Sequence, residues 1–362
     1  MASMSSAFGP KLRSRKDGAA IPLGDQDRRL LNLMQGSFPI APRPYQHVAA
    51  KADMTEEQAI ARVQELVDHR IIRQVTPIFD TRALGYSSML VAAKVDAENP
   101  WRAAKVINEH PGVSHNYLRN HDFNIWFTIA TEPDSPLGLD RTLEVLGEIA
   151  GAESIRQLPT LKLFKIRMDL EMEGGTDALA KAVEVAPPAE IERQPYDERD
   201  ISVIRAVQGD MPIAAEPYAP AADQLGMTQD ELLSHLEGMQ ERRLLRRVAA
   251  ILFHRRAGFS ANGMGVWRVP DDRIMELGPQ MAAFRGISHC YQRPTYQDWP
   301  YSIFTMAHGR SKDECDAILD SIADSTGIDD RATLYSSTEF KKIRLLYFTE
   351  DYRDWERKHA GV

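Results

Sequence analysis

Cysteine is nearly absent: Cys290 and Cys315 are the only two in 362 residues. Two thiols cannot build a disulfide framework or a Cys-rich zinc or iron–sulfur site. Such sparing use fits a reducing cytoplasm, the expected location. No apolar run approaches the roughly 20 residues that a membrane-spanning helix needs. The opening stretch MASMSSAFGPKLRSRKDG has basic residues with no apolar segment behind them. Residues 1–22 therefore read as a flexible tail and not as a secretory signal. Positive charge is not in excess, since 44 Lys and Arg stand against 52 Asp and Glu. A chain of this balance binds an anion through a local basic pocket, not through its overall field.

What the chain does contain is a repeat of itself. GDQDRRLLNLMQGSFPI from Gly24 matches YDERDISVIRAVQGDMPI from Tyr196. Asp27 falls on Asp200, Gln35-Gly36 on Gln208-Gly209, and Pro44-Tyr45 on Pro217-Tyr218. Further on, GVSHNYLR from Gly112 meets GISHCYQR from Gly286, and Lys165-Ile166 meets Lys342-Ile343. Two copies of one fold are joined by a Pro/Ala/Glu-rich linker over 173–195.

Each copy divides again. In the first, Asp27 is expected to cap a helix that carries Leu30, Leu31 and Met34 on one face. After an irregular segment, Thr55-Glu56-Glu57 opens a second helix, and a short strand follows Ile71. That order is a winged helix-turn-helix. The next part predicts strands over Ser87–Val95, Val113–Leu118, Ile125–Ala130 and Leu161–Met168. Helices are predicted over Pro100–Glu109 and Leu139–Ala150. The sequence β-α-β-β-α-β is the ferredoxin-like arrangement. The fold class is therefore α+β, a tandem duplication of a winged helix-turn-helix plus a ferredoxin-like domain. The expected boundaries are 23–78 and 79–172 in the first copy, 196–252 and 253–362 in the second.

This architecture resembles the Lrp/AsnC regulators, which implies DNA as a partner. The residues argue otherwise. The candidate recognition helices begin Thr55-Glu56-Glu57-Gln58 and Thr228-Gln229-Asp230-Glu231. Carboxylates there would face a phosphate backbone. Arg242, Arg243, Arg246 and Arg247 read as a solvated helix end and wing. No specific DNA binding is expected, and no membrane.

Both copies place His, Tyr and Arg at alternate positions: His115, Tyr117, Arg119 and His289, Tyr291, Arg293. Alternate residues of a strand share a face. Each copy thus offers a general acid/base, a phenol and a guanidinium together. A second string, FHRRAGFSANGMGVW from Phe253, supplies His254, Arg255 and Arg256. Its Gly258, Gly263 and Gly265 are expected to let a flat ligand approach the backbone. Trp267 reads as core, Cys290 as a small buried residue, and Lys165 and Lys341 as surface charge. His254 has Asp80 as its first-copy equivalent, so the second copy is expected to hold the principal site.

Paired SHNYLRNHDFNIWFT and SHCYQRPTYQDWPY strings, with HRRAGFSANGMGVW, resemble the siroheme decarboxylases, over nearly the whole chain. Those Lrp-like proteins occur as two related subunits or as one fused chain. The resemblance implies loss of two acetate carboxylates from siroheme as CO2, giving didecarboxysiroheme. It implies no cofactor beyond the iron tetrapyrrole substrate, because the electrons stay in the product. His254, His289 and Tyr291 are the expected catalytic residues. Arg255, Arg256, Arg293, Arg82, Arg119, His115 and Tyr117 are expected to bind substrate. Either His254 or His289 could donate the proton and the other ligate the substrate iron; the two assignments stay open. The copies are expected to pair internally as a pseudo-dimer, with further homodimerisation and contacts to other tetrapyrrole-pathway enzymes left open. A heme sensor that regulates transcription, and a non-catalytic tetrapyrrole carrier, are the alternatives.

Overall fold

The computed structural model of the chain describes residues 21–166, 192–253 and 261–360. The first copy opens with α1 (Asp25–Gly36), α2 (Pro44–Lys51) and α3 (Glu56–Asp68), then strand β1 (Ile72–Phe79). The segment expected to be irregular is thus a short helix, started by Pro44 at its first turn, where a missing N–H is harmless. Asp27 is not the cap of α1. Gly24 holds that place, and Asp27 sits three residues in, its carboxylate accepting the Gly24 N–H at 2.9 Å. Thr55 does cap α3, in a reciprocal box with Gln58.

The ferredoxin-like part follows as β2 (Ser87–Lys94), α4 (Pro100–Asn108), β3 (Val113–Arg119), β4 (Ile125–Thr131), α5 (Gly138–Ala150), β5 (Ser154–Leu158) and β6 (Lys162–Ile166). The second copy repeats α6 (Glu198–Val207), α7 (Ala219–Leu225), α8 (Gln229–Glu241) and β7 (Leu245–Leu252). It continues with β8 (Ala261–Trp267), α9 (Ile274–Ala283), β9 (Ile287–Gln292), β10 (Ile303–Gly309), α10 (Lys312–Thr326), β11 (Arg331–Lys342) and a closing helix α11 (Glu350–Ala360).

Each copy orders its strands fourth–first–third–second: β5-β2-β4-β3 and β11-β8-β10-β9. The copies then exchange strand ends. The first half of β11 pairs with β8 and its second half with β3 of the other copy. Likewise β5 pairs with β2, and β6 crosses over to β9. This corrects the expectation of one closing strand over Leu161–Met168. The within-copy strand is Ser154–Leu158, and the Leu161 region belongs to the partner copy's sheet. Local pattern cannot register this, because both segments are short and share one alternation.

Nine of the described strands are joined through β11 into one continuous sheet, and between its two copy halves, the inter-sheet side, lies a core of Trp126, Trp299, Phe304, Met264, Val266, Leu158 and Leu334. The outer faces are covered by α4 and α5 in one copy and by α9 and α10 in the other. The winged-helix parts merge as well: β1 and β7 form their own two-stranded antiparallel ladder, and one core spans both copies. Arg242 is not a solvated helix end. It forms a two-pronged contact with Asp200, at 2.8 and 2.7 Å, and Asp200 also meets His235 Nε2 at 2.8 Å. In the first copy, Arg62 does the same for Asp27, at 2.7 Å on both oxygens. Among the described residues no helix is long and apolar enough to cross a membrane.

Candidate active site

The side chains at issue stand on β3 and β9, the strands that meet the other copy. On β9, Ile287 and Cys290 point into the core under α9, and the Cys290 thiol lies 3.6 Å from the Gly278 carbonyl. Burial pushes that thiol up, so it stays protonated. His289, Tyr291 and Arg293 therefore face the opposite way, toward the inter-sheet side. On β3, Asn116 turns to α4, bonding the Ala104 carbonyl and Asn108. That leaves His115, Tyr117 and Arg119 facing inward, as the alternation requires.

The two arginines are set in equivalent seats. Arg293 Nη1 donates to the Leu158 carbonyl, with its guanidinium 5.0 Å from the Tyr291 ring centre and 5.4 Å from that of Phe304. Arg119 Nη1 donates to the Leu334 carbonyl at 3.1 Å, over Trp126 at 5.6 Å. In both, Nε is buried with no partner among the described residues. Among the described residues neither guanidinium is paired with a carboxylate. Burial drags both down to about 10. An uncompensated buried cation is unfavourable, and an incoming carboxylate would relieve it.

The histidines differ between copies in a way the sequence does not announce. Residues Met306 and Ala307 of β10 face His289 and Ile287, leaving Ser288 unpaired as a β-bulge. An extra residue of this kind re-aims a side chain. The Ser288 hydroxyl thus lies beside His289, 2.6 Å from its Nδ1, and 2.5 Å from Nε2 of His308. His308 Nδ1 is in turn 2.7 Å from Asn262 Oδ1 on β8. Burial lowers the pKa of His289, with a smaller contribution from His308, and burial alone lowers His308. The first copy has the same bulge at Ser114. There the hydroxyl sits between His115 Nδ1, at 3.0 Å, and Thr128 Oγ1, at 2.8 Å. Burial lowers His115 too, followed by Lys342 and Arg73. Ala130 occupies the place that His308 has in the second copy.

Tyr291 stacks on His289 at 5.9 Å, and Tyr117 lies 6.3 Å from His115. Arg82 is exposed. His254, Arg255, Arg256 and Gly258 lie outside the described residues. Asp80, the first-copy equivalent of His254, is buried and accepts the N–H groups of Arg82 and Ala83. It holds a turn.

Gly263 and Gly265 do not open a space for a flat ligand. A Cβ at Gly265 would meet Leu319 at 2.7 Å and Thr305 at 2.8 Å, and one at Gly263 would meet Cys315 at 3.3 Å. They admit α10. Trp267 is core, its indole N–H donating to Thr305. Lys341 is not surface charge. It is half-buried and donates to the carbonyls of Asn108 and His110, and burial brings it down to about 8. It lines a cleft of about 530 Å³ with Arg344 and Lys358, which shares no residue with the histidine row. Ser288, His308 and Asn262 were missed from sequence. The available signal was Phe304-Met306-His308, alternate residues of one strand that carry His308 to the face of His289.

Comparison with known proteins places these features in a family. A model described as "AsnC-like ligand binding domain" matches residues 83–165 and 256–341. A model described as "Siroheme decarboxylase NirDL-like HTH domain" matches 27–73 and 200–246. The chain is 35% identical to a siroheme decarboxylase of Hydrogenobacter thermophilus over 92% of its own length and 98% of the relative's. A siroheme decarboxylase beta subunit of Methanosarcina barkeri is 40% identical over 41% of this chain and 99% of its own, so that subunit has the size of one copy. A crystal structure of the siroheme decarboxylase NirDL in co-complex with an iron-uroporphyrin III analogue superposes with TM-score 0.74 at 31% identity, covering 93% of this chain and 99% of that one. The duplicated winged-helix and ferredoxin-like chain belongs to the siroheme decarboxylase family, as its fused, single-chain type.

Proposed function

We propose that the chain removes two acetate carboxylates of siroheme as CO2, giving didecarboxysiroheme, with the second copy as principal site. The observation that carries this reading is the pair of buried guanidiniums, Arg119 and Arg293, that face the inter-sheet side without a carboxylate partner among the described residues. A substrate with eight carboxylates supplies what they lack. Arg82, Arg255 and Arg256 hold further carboxylates, with His115 and Tyr117 on the first-copy side.

In each decarboxylation the C–C bond to the carboxylate breaks and its electron pair stays on the methylene carbon. The macrocycle spreads that charge until a proton arrives and a methyl group forms. His289 is the proton donor in this reading, because its ring stands on the inter-sheet face with Nδ1 already engaged. Nearby substrate carboxylates favour its charged form and oppose the effect of burial. Tyr291, stacked on His289, hydrogen-bonds a carboxylate, and His254 takes the remaining histidine role at the substrate iron. No cofactor beyond the substrate is called for, and the cytoplasm is the proposed location.

Anaerobic incubation with siroheme, then mass spectrometry of the extracted pigment, tests this. Loss of two CO2 units is the expected result. Bound but unchanged siroheme would leave a carrier, and no binding at all would sink the tetrapyrrole reading.

A further inference from the structure

The hydrogen bonds around Ser288 single out a residue beyond the His-Tyr-Arg row. His308 Nδ1 faces Asn262 Oδ1, an acceptor, so this nitrogen carries a hydrogen. In the neutral ring Nε2 is then an acceptor, and the Ser288 hydroxyl proton points to it. The Met306 carbonyl, the other acceptor near this hydroxyl, is 3.5 Å away and competes weakly for its proton. The Ser288 oxygen is left to accept, and its donor is His289 Nδ1 at 2.6 Å. His289 is thereby held as the Nδ1–H form, and Nε2 is the nitrogen left without a hydrogen. Three adjacent strands build this chain: β8 supplies Asn262, β10 His308, and β9 both Ser288 and His289.

We propose that His308, acting through Ser288, is the positioning residue that fixes the tautomer of His289. This rests on the reading of His289 as proton donor. The charged ring carries hydrogens on both nitrogens. When Nε2–H passes its proton to the methylene carbon, the ring that remains is the Nδ1–H form that the network already holds. No hydrogen bond has to rearrange as the C–H bond forms, which is the benefit of a preorganised site. The first copy lacks this device. Thr128 can donate to or accept from Ser114, and Ala130 stands where His308 would be. The tautomer of His115 is not fixed, so the two copies are chemically unequal although their strands superimpose in sequence.

The test uses the full chain and has two arms. Imidazole nitrogen NMR reads the tautomer of His289 directly, without substrate. The wild type is expected to show Nδ1–H, and Ser288→Ala and His308→Phe to show a mixture or the opposite tautomer. An unchanged Nδ1–H signal in both folded variants overturns the proposal. In the second arm, His308→Gln and His308→Phe are assayed with siroheme. The expected result is a fall in kcat of about 10- to 100-fold, smaller than the roughly 100- to 10,000-fold that a positioned proton donor contributes because the donor His289 itself stays in place, with KM nearly unchanged. Equal kcat in His308→Phe and wild type overturns the proposal. A loss confined to KM also overturns it, because that marks a substrate-binding role. If the wild type itself leaves siroheme intact, the functional reading fails, and the NMR arm still decides what His308 does to His289.

Discussion

Arg293 shows how a side chain can oppose stability and serve binding. Its guanidinium lies over two rings, gives one hydrogen bond to a backbone carbonyl, and leaves Nε buried and unpartnered. Replacing such a buried charge by an apolar side chain of similar volume is often neutral or stabilising. Arg293→Met is therefore expected to unfold at the same temperature as wild type or a higher one in a thermal melt without ligand. The same variant should bind siroheme at least about tenfold more weakly, since a charge-assisted hydrogen bond contributes about 1.5–3 kcal/mol; pigment titration followed by absorbance checks this. A melt lowered by several degrees would mean that Arg293 is a structural bolt. A second residue-scale expectation compares the copies. His289→Gln should abolish most turnover, whereas His115→Gln should reduce it less, in the same mass-spectrometric assay. Equal losses would mean that both copies work as active sites. His289, Tyr291 and Arg293 were legible because strand alternation is local. His308 was not, because its relation to His289 depends on a bulge that displaces Ser288, and a bulge leaves no fixed mark in the sequence.

At the scale of elements, the first turns of α1 and α6 are tied to helices that follow them. Asp27 reaches Arg62 of α3, and Asp200 reaches His235 and Arg242 at α8 and its end. The Arg62 hydrogen bonds hold the Asp27 carboxyl below its ordinary value of 3.8, over the opposition of burial. At Asp200 burial is the largest influence and raises the pKa, but Arg242, the Asp197 amide and His235 together outweigh it, and the result is again below 3.8. A carboxylate with depressed folded pKa contributes stability that is complete above its unfolded value and lost as pH falls through the folded one. Both winged-helix parts should therefore loosen as pH drops below about 4. Asp200→Asn should flatten this acid limb in a pH series of denaturant melts. It should also destabilise at neutral pH by about 1–2 kcal/mol, since Asp200 is buried but its partner Arg242 is partly exposed and can be rehydrated. An unchanged limb would place the acid sensitivity elsewhere. The repeat makes the Asp27 and Asp200 pair visible, and local sequence suggests for Asp27 only a capping role. Its pairing with Arg62 and Arg242 comes from helices that meet only after folding.

The whole molecule is held by exchange between copies. β3 takes β11, β9 takes β6, β1 takes β7, and a single core runs through both winged-helix parts. A copy expressed alone would bare long strand edges and half of a core, a recipe for aggregation. Two chains divided within 173–191 and co-expressed are expected to co-purify as one complex with siroheme-binding capacity. Either one alone should elute as aggregate or be insoluble; size-exclusion chromatography decides. A stable, monomeric single copy would show that the exchange is dispensable. The sequence by itself determined the duplication, the α+β class, most of the elements and the His-Tyr-Arg rows, because repeats, periodicity and alternation are properties of neighbouring residues. Only the tertiary structure decided which copy each strand end serves, that the glycines of β8 admit a helix and not a ligand, and that Ser288, His308 and Asn262 meet at His289. Those outcomes depend on registers between strands far apart in the chain, which are settled by packing the inter-sheet core and not by any residue's local preference.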